Sequence, residues 1–219
     1  MHKTIGDIAP DFTAETTDGP IRFHDWIGDA WCVLFSHPKD FTPVCTTELG
    51  AVGRLMPQFE RRGVKVIGIS VDPVATHREW KRDIEAVTGV DVAYPLIGDP
   101  NLAVAKLYGM LPADASDAGF RTAADNHTVR SVFVIGPDKR IKLTITYPMS
   151  TGRDFGEILR AIDSLQLTAR HKVATPADWR QGDDVIILPS LDEAAARAAF
   201  PDGWEARTPY MRVVPQPGS

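Results

Sequence analysis

In the run His37-Pro38-Lys39-Asp40-Phe41-Thr42-Pro43-Val44-Cys45-Thr46-Thr47-Glu48, the residue types of a nucleophilic sulfur site stand close together. A cysteine reacts as its thiolate, so Cys45 needs surroundings that hold negative charge on its sulfur. Pro43 suits the opening of a helix, which places Cys45 in the first turn, among unpaired backbone N–H groups and at the positive end of the helix dipole. A helix end contributes roughly 0.3–1 kcal/mol, or about 2 kcal/mol when partly buried. That falls short of ionising a thiol at neutral pH, so a cation and a hydrogen-bond donor must supply the remainder. Thr42, three residues before the sulfur, offers a hydroxyl to the sulfur or to a substrate oxygen. Arg130, at the opening of a predicted strand, is the candidate cation.

The plainer alternative makes Cys45 a small buried apolar residue and Thr42 a helix cap. The other cysteine, Cys32, lies in the apolar run Trp31-Cys32-Val33-Leu34-Phe35 and reads as core packing. Nothing after Cys45 is cysteine, so any sulfur oxidised there must be restored from outside the chain.

Such a site needs a scaffold, and the chain supplies an alternating one. Apolar, β-branched runs at Trp31–Phe35, Val64–Val71, Val129–Ile135 and Ile141–Tyr147 read as strands. The second is almost continuously apolar, as a strand buried on both faces would be. Thr46–Arg62 and Thr76–Val87 have helical spacing, with Gly63 and Gly89 where helices stop. Gly136-Pro137-Asp138-Lys139-Arg140 joins the last two strands as a hairpin, which makes the sheet mixed. A helix over Asp154–Leu165 follows. After Leu167 the texture changes: a short strand over Asp184–Leu188, an Ala-rich helix over Asp192–Phe200 and a proline-rich tail predict a separate small domain. The fold class is α/β, and no repeat or heptad suggests a solenoid or coiled coil.

The 219 residues and a 43% hydrophobic fraction suffice for one substantial core and a small appended domain. A net charge of −5 gives no basic surface for nucleic acid. No run is long enough for a membrane span, and the amino terminus lacks an apolar leader, so the expected location is cytoplasmic.

Pro38, Thr42 and Cys45 match the active-site pattern of the peroxiredoxin family: proline, three residues, threonine or serine, two residues, cysteine. The chain resembles that family nearly throughout, from Gly6-Asp7 and Pro10-Asp11-Phe12, through Gly68–Asp72, to Arg130 at the place of the family's active-site arginine. Tyr147-Pro148, Thr151-Gly152-Arg153 and Val173–Trp179 resemble its one-cysteine class. The resemblance implies a thioredoxin-like mixed sheet flanked by helices over residues 1–167, and a carboxy-terminal dimerisation domain over 168–219.

The implied activity is reduction of hydrogen peroxide or an alkyl hydroperoxide. The Cys45 thiolate becomes a sulfenic acid, which an external thiol or other small reductant resolves. By the same resemblance Pro38 shields the sulfur, Thr42 and the Cys45 amide hold the peroxide, and Arg130 favours the thiolate and stabilises charge on the oxygens. Arg153 matches a second arginine, Glu48 could anchor either guanidinium, and His37 matches a histidine placed near the sulfur. The implied assembly is a homodimer, or a ring of such dimers. No cofactor is called for. A metal on Cys45, His37 and Asp40 would be opposed by the adjacent arginine.

Two other functions use the same residues. A peroxide sensor or chaperone-like oligomer would relay the sulfenic acid to a partner, and a cysteine hydrolase would use His37 as base. A phospholipase of the kind described for animal members needs a serine where this chain has Ala30, so His24 and Asp138 lack a nucleophile to serve.

Overall fold

The computed structural model describes residues 3–113 and 127–218. Two compact units emerge from the contacts, Met1–Phe155 and Gly156–Ser219.

In the first unit the order is β1 (Thr13–Thr16), β2 (Gly19–Arg22), α1 (Phe23–Ile27), β3 (Trp31–Ser36), α2 (Pro43–Arg61), β4 (Val64–Ser70), α3 (Val74–Thr88), β5 (Leu96–Gly98), α4 (Ala103–Tyr108), β6 (Arg130–Ile135) and β7 (Ile141–Tyr147). Seven strands form one sheet in the order β2-β1-β5-β4-β3-β6-β7. β3, β4 and β5 run parallel, each pair joined through a helix, as parallel neighbours require. β6 is antiparallel to β3, and β7 returns against β6 as a hairpin, so the sheet is mixed as the sequence predicts.

The periodic stretches become the central elements. β4 is buried except at Lys65, which fits its position between two strands. At Gly68 a Cβ would stand 2.6 Å from the Leu96 side chain and 3.3 Å from the Phe35 ring, so a larger residue would have to displace those side chains. One core cluster joins Cys32, Leu34, Ile67, Ile69, Phe133 and Ile135 of the sheet to Phe23 and Tyr108. Each such side chain contributes about 1.5–3 kcal/mol on burial.

α2 opens earlier than its periodicity alone predicts. Thr42 is extended (φ −115°, ψ 145°) and stands at the N-cap position, and Pro43 takes the first helical position, where its missing N–H costs nothing. Cys45 is therefore the third residue of the helix.

The second unit holds α5 (Phe155–Arg170), which begins at the last residue of the first, then β8 (Val173–Ala174), β9 (Val185–Ile187), α6 (Glu193–Ala199), β10 (Glu205–Thr208) and β11 (Met211–Val214). Its sheet is antiparallel, in the order β10-β11-β9-β8. Leu167 of α5 packs with Val173, Trp179, Val185, Ile187, Ala196 and Val214. That contact is why α5 groups with this unit, although the change of sequence texture comes only after Leu167. Asp192 caps α6 by accepting from the Ala195 amide at 2.8 Å. Among the described residues no helix is long and apolar enough to cross a membrane.

Candidate active site

Cys45 is 0% exposed, and its sulfur faces a guanidinium. Arg130, the first residue of β6, donates from Nη1 to Cys45 Sγ at 3.3 Å and to Glu48 Oε2 at 2.6 Å. Its Nε and Nη2 both donate to the Met149 carbonyl, at 2.9 and 2.6 Å. A planar fork is needed for this: one edge is spent on fixing orientation and the other is shared between sulfur and carboxylate.

Glu48 lies one helical turn after Cys45, and Arg153 fixes it from the other side. Oε1 accepts from the Arg153 backbone N–H at 2.8 Å and from Nε at 2.9 Å, and Oε2 accepts from Nη2 at 2.7 Å. Arg153 Nη1 donates to the carbonyls of Ser36 and Ser131, at 2.8 and 3.1 Å. Its guanidinium also lies over the rings of Phe35 and Phe155, at 5.2 and 5.3 Å. Burial by itself would push the Glu48 carboxyl up. The hydrogen bonds and charge of Arg153, with the charge of Arg130, hold it below the usual carboxylate range.

Arg130, Arg153, Glu48 and Cys45 are all buried. With the sulfur as a thiolate, two positive charges meet two negative ones and the cluster is neutral; as a thiol, it would bury an uncompensated cation. Burial of unpaired charge is costly, and the Arg130 guanidinium is the cation placed to pair with charge on the sulfur.

Pro38 is buried and Thr42 half-buried. The Thr42 hydroxyl donates to the Lys39 carbonyl at 2.8 Å, leaving its lone pairs as the part able to meet a ligand. His37 is fully buried: its Nε2 lies 2.7 Å from Asp40 Oδ1, and Nδ1 has no partner among the described residues. Burial pushes the imidazole towards its neutral form against the pull of Asp40. With the Nε2 hydrogen on the carboxylate, Nδ1 carries a lone pair.

Behind this loop stand residues that the sequence reading did not single out. His77 of α3 brings Nδ1 to 2.5 Å from Asp40 Oδ2 and Nε2 to 3.0 Å from the Ile97 carbonyl. Asp72 accepts from the Asp40 backbone N–H at 2.9 Å and from Ser70 Oγ at 2.9 Å. The only sequence signal for His77 is that it shares a buried helical face with Trp80 and Ile84. The donor atoms of His37, Asp40 and His77 lie within 4.8 Å of one another, a set of metal-ligand type. Their separations from Asp40 are those of hydrogen bonds, and protons satisfy them.

Cys32 lies in β3 and is fully buried, and burial pushes its thiol far up. It is not bonded to Cys45: both cysteines are free.

Known proteins share both the fold and the sequence. The model of the AhpC/TSA family matches residues 5–144, and that of the C-terminal domain of 1-Cys peroxiredoxin matches residues 164–211. The chain is 49% identical to a 1-Cys peroxiredoxin of Dictyostelium discoideum, over 97% of its own length and 85% of the relative's. It is equally identical to human Peroxiredoxin-6, with 97% of each chain covered. A crystal structure of a cysteine-to-serine mutant of Peroxiredoxin 6 from Arenicola marina superimposes with a TM-score of 0.91 at 49% identity, over 99% of both chains. The yeast mitochondrial 1-Cys peroxiredoxin, whose structure describes thiol resolution via glutathione/thioredoxin systems, superimposes with a TM-score of 0.90 at 47% identity, over 97% of this chain and 99% of that one.

Proposed function

The chain belongs to the AhpC/TSA family and to its one-cysteine peroxiredoxin class, and as such is a thiol-dependent peroxidase; we propose that Cys45 is its nucleophile, served by Pro38, Thr42 and Arg130, with Glu48, Arg153 and His37 in support. The observation that carries this reading is the Arg130 Nη1–Cys45 Sγ contact of 3.3 Å inside a buried cluster that is neutral only with a thiolate.

The Cys45 thiolate attacks one oxygen of ROOH in line with the O–O bond. A sulfur–oxygen bond forms, the O–O bond breaks, and the sulfur loses two electrons. The sulfenic acid keeps the peroxide proton, and the departing alkoxide or hydroxide takes one from solvent. Arg130 offers cationic N–H groups where negative charge moves from sulfur to the leaving oxygen. Thr42, its hydrogen spent on Lys39, accepts from the peroxide hydroxyl, and Pro38 keeps water from the sulfur. His37 presents an acceptor at Nδ1, because its hydrogen is held by Asp40.

With both cysteines free and Cys32 locked in the core, resolution falls to an external thiol. It attacks the sulfenic sulfur and releases water, and a second thiol frees Cys45 as a disulfide leaves. Similarity to the yeast protein favours glutathione or thioredoxin as that thiol. Two free thiols suit a reducing compartment such as the cytoplasm. The second unit serves dimerisation in this reading.

A hydrolase would need an imidazole on the sulfur, whereas the recorded partner of Sγ is a guanidinium. The test is stopped-flow mixing of reduced protein with hydrogen peroxide, followed by a dimedone trap and intact mass. Fast peroxide loss with one trapped sulfenic acid on Cys45, absent in Cys45→Ser, is the expected result. Reaction no faster than that of a free thiol would remove the reading.

A further inference from the structure

Pro38 and Thr42 can act on a peroxide only if the segment between β3 and α2 keeps its shape, and that shape is strained. Phe41, between Asp40 and Thr42, has φ +53°, a left-handed conformation that a bulky residue avoids. Phe41 is 51% exposed, and among the described residues its one ring contact is with Trp80 at 6.3 Å, so burial of Phe41 does not impose the turn. Such a conformation is costly and persists where its surroundings over-determine it.

The surroundings that do so converge on Asp40. Its backbone N–H is held by Asp72, its Oδ1 by His37, and its Oδ2 by His77, while Ser70 ties down Asp72. His77 is the outlying member, donated by α3. The Ile97 carbonyl can only accept, so His77 Nε2 carries a hydrogen. Nδ1 then faces a carboxylate oxygen at 2.5 Å, and one proton must lie between those two acceptors. The result is a short hydrogen bond between two buried groups, fixed from α3 onto the middle of the loop that carries Pro38 and Thr42.

We propose that His77, which touches neither Cys45 nor Arg130 by any recorded bond, is a positioning residue of the peroxidase: through Asp40 it holds the turn at Phe41 that presents Pro38 and Thr42 to the peroxide. This rests on Cys45 being the peroxidatic sulfur. A role in stability alone is the poorer explanation, because a buried polar pair is often matched or bettered by apolar residues of the same volume.

Two polar variants of similar size separate the bonds. His77→Asn keeps a donor near the position of Nδ1 and so the bond to Asp40; His77→Gln keeps a donor near Nε2 and so the bond to Ile97. The rate of peroxide reduction by Cys45 is measured beside the rate of its alkylation by iodoacetamide, which needs the thiolate but not the peroxide-binding loop. A misplacement near 1 Å costs about 10²-fold. The expected result is a peroxide rate about ten- to a hundred-fold lower in His77→Gln, mostly retained in His77→Asn, with alkylation rates alike in all three proteins. Equal peroxide rates in the two variants, or peroxide and alkylation rates falling together, would overturn the proposal. A wild type no faster with peroxide than a free thiol would instead remove the reading of Cys45 on which it stands.

Discussion

Arg153 grips Glu48 through its backbone amide, Nε and Nη2, three hydrogen bonds of 2.7–2.9 Å that leave the carboxylate no freedom to turn. Glu48 is thereby a fixed counter-charge for Arg130 on the other side. Glu48→Gln preserves the shape and removes the charge, leaving two buried guanidinium groups with only the Cys45 sulfur to oppose them. Breaking a buried pair in this way costs about 3–5 kcal/mol. A clear fall in the urea midpoint is expected, with the peroxide rate falling as well because Arg130 loses its anchor.

Arg130→Lys keeps the cation but cannot hold Met149, Glu48 and Cys45 at once, since an ammonium has no rigid fork. A loss of at least about ten-fold in the stopped-flow peroxide rate is expected, equivalent to about 1.4 kcal/mol in the barrier. An unchanged rate would show that charge alone suffices.

Cys32→Ala should leave the peroxide reaction and the single dimedone adduct intact, because Cys32 is buried in β3 and its thiol is held protonated. Peptide mapping of the trapped protein decides it: any adduct on Cys32, or a disulfide between the two cysteines, contradicts the assignment.

In the proposed mechanism no second cysteine resolves the sulfenic acid on Cys45, which should then outlive each encounter with peroxide. Repeated excess peroxide without a thiol reductant should therefore add a second oxygen to Cys45 and abolish turnover. Full activity after such cycles, with no added mass, would count against it.

Acid should loosen the loop clamp in a defined window. Burial alone would raise the Asp40 carboxyl, but hydrogen bonds from His37 and His77 overcome it and bring it to about 2. Because the folded value lies below the unfolded one near about 3.9, the stabilisation is complete above about pH 4 and disappears as the pH falls towards 2. It amounts to about 2–3 kcal/mol. Urea unfolding between pH 5 and 2 should show a shallower pH dependence for Asp40→Asn than for the wild type.

What could be read from the sequence was local. Strands β3, β4, β6 and β7 announce themselves as apolar runs, and the Pro38–Thr42–Cys45 spacing lies within one loop and one helical turn. β1, β2 and β5 are three or four residues long, and their pairing with one another sets them in the sheet more than any pattern of their own. The same holds for β10 and β11 in the second unit. His77 was silent because its partner Asp40 lies 37 residues away, and only the parallel β3-α2-β4-α3 crossover brings them together. The carboxylate that would join Arg130 to Arg153 could be named, but its three-point hold by Arg153 depends on the close approach of the loop after β7.

If Cys45 is the nucleophile proposed, the neutrality of the Cys45–Glu48–Arg130–Arg153 cluster would also last for only half of each turnover. In the proposed mechanism a sulfenic acid carries no charge while both guanidinium groups remain, so oxidation would convert a balanced site into a buried net cation. The enzyme then resembles a capacitor charged by its own substrate, and an incoming thiolate is both the nucleophile that resolves the sulfur and the anion that discharges the site.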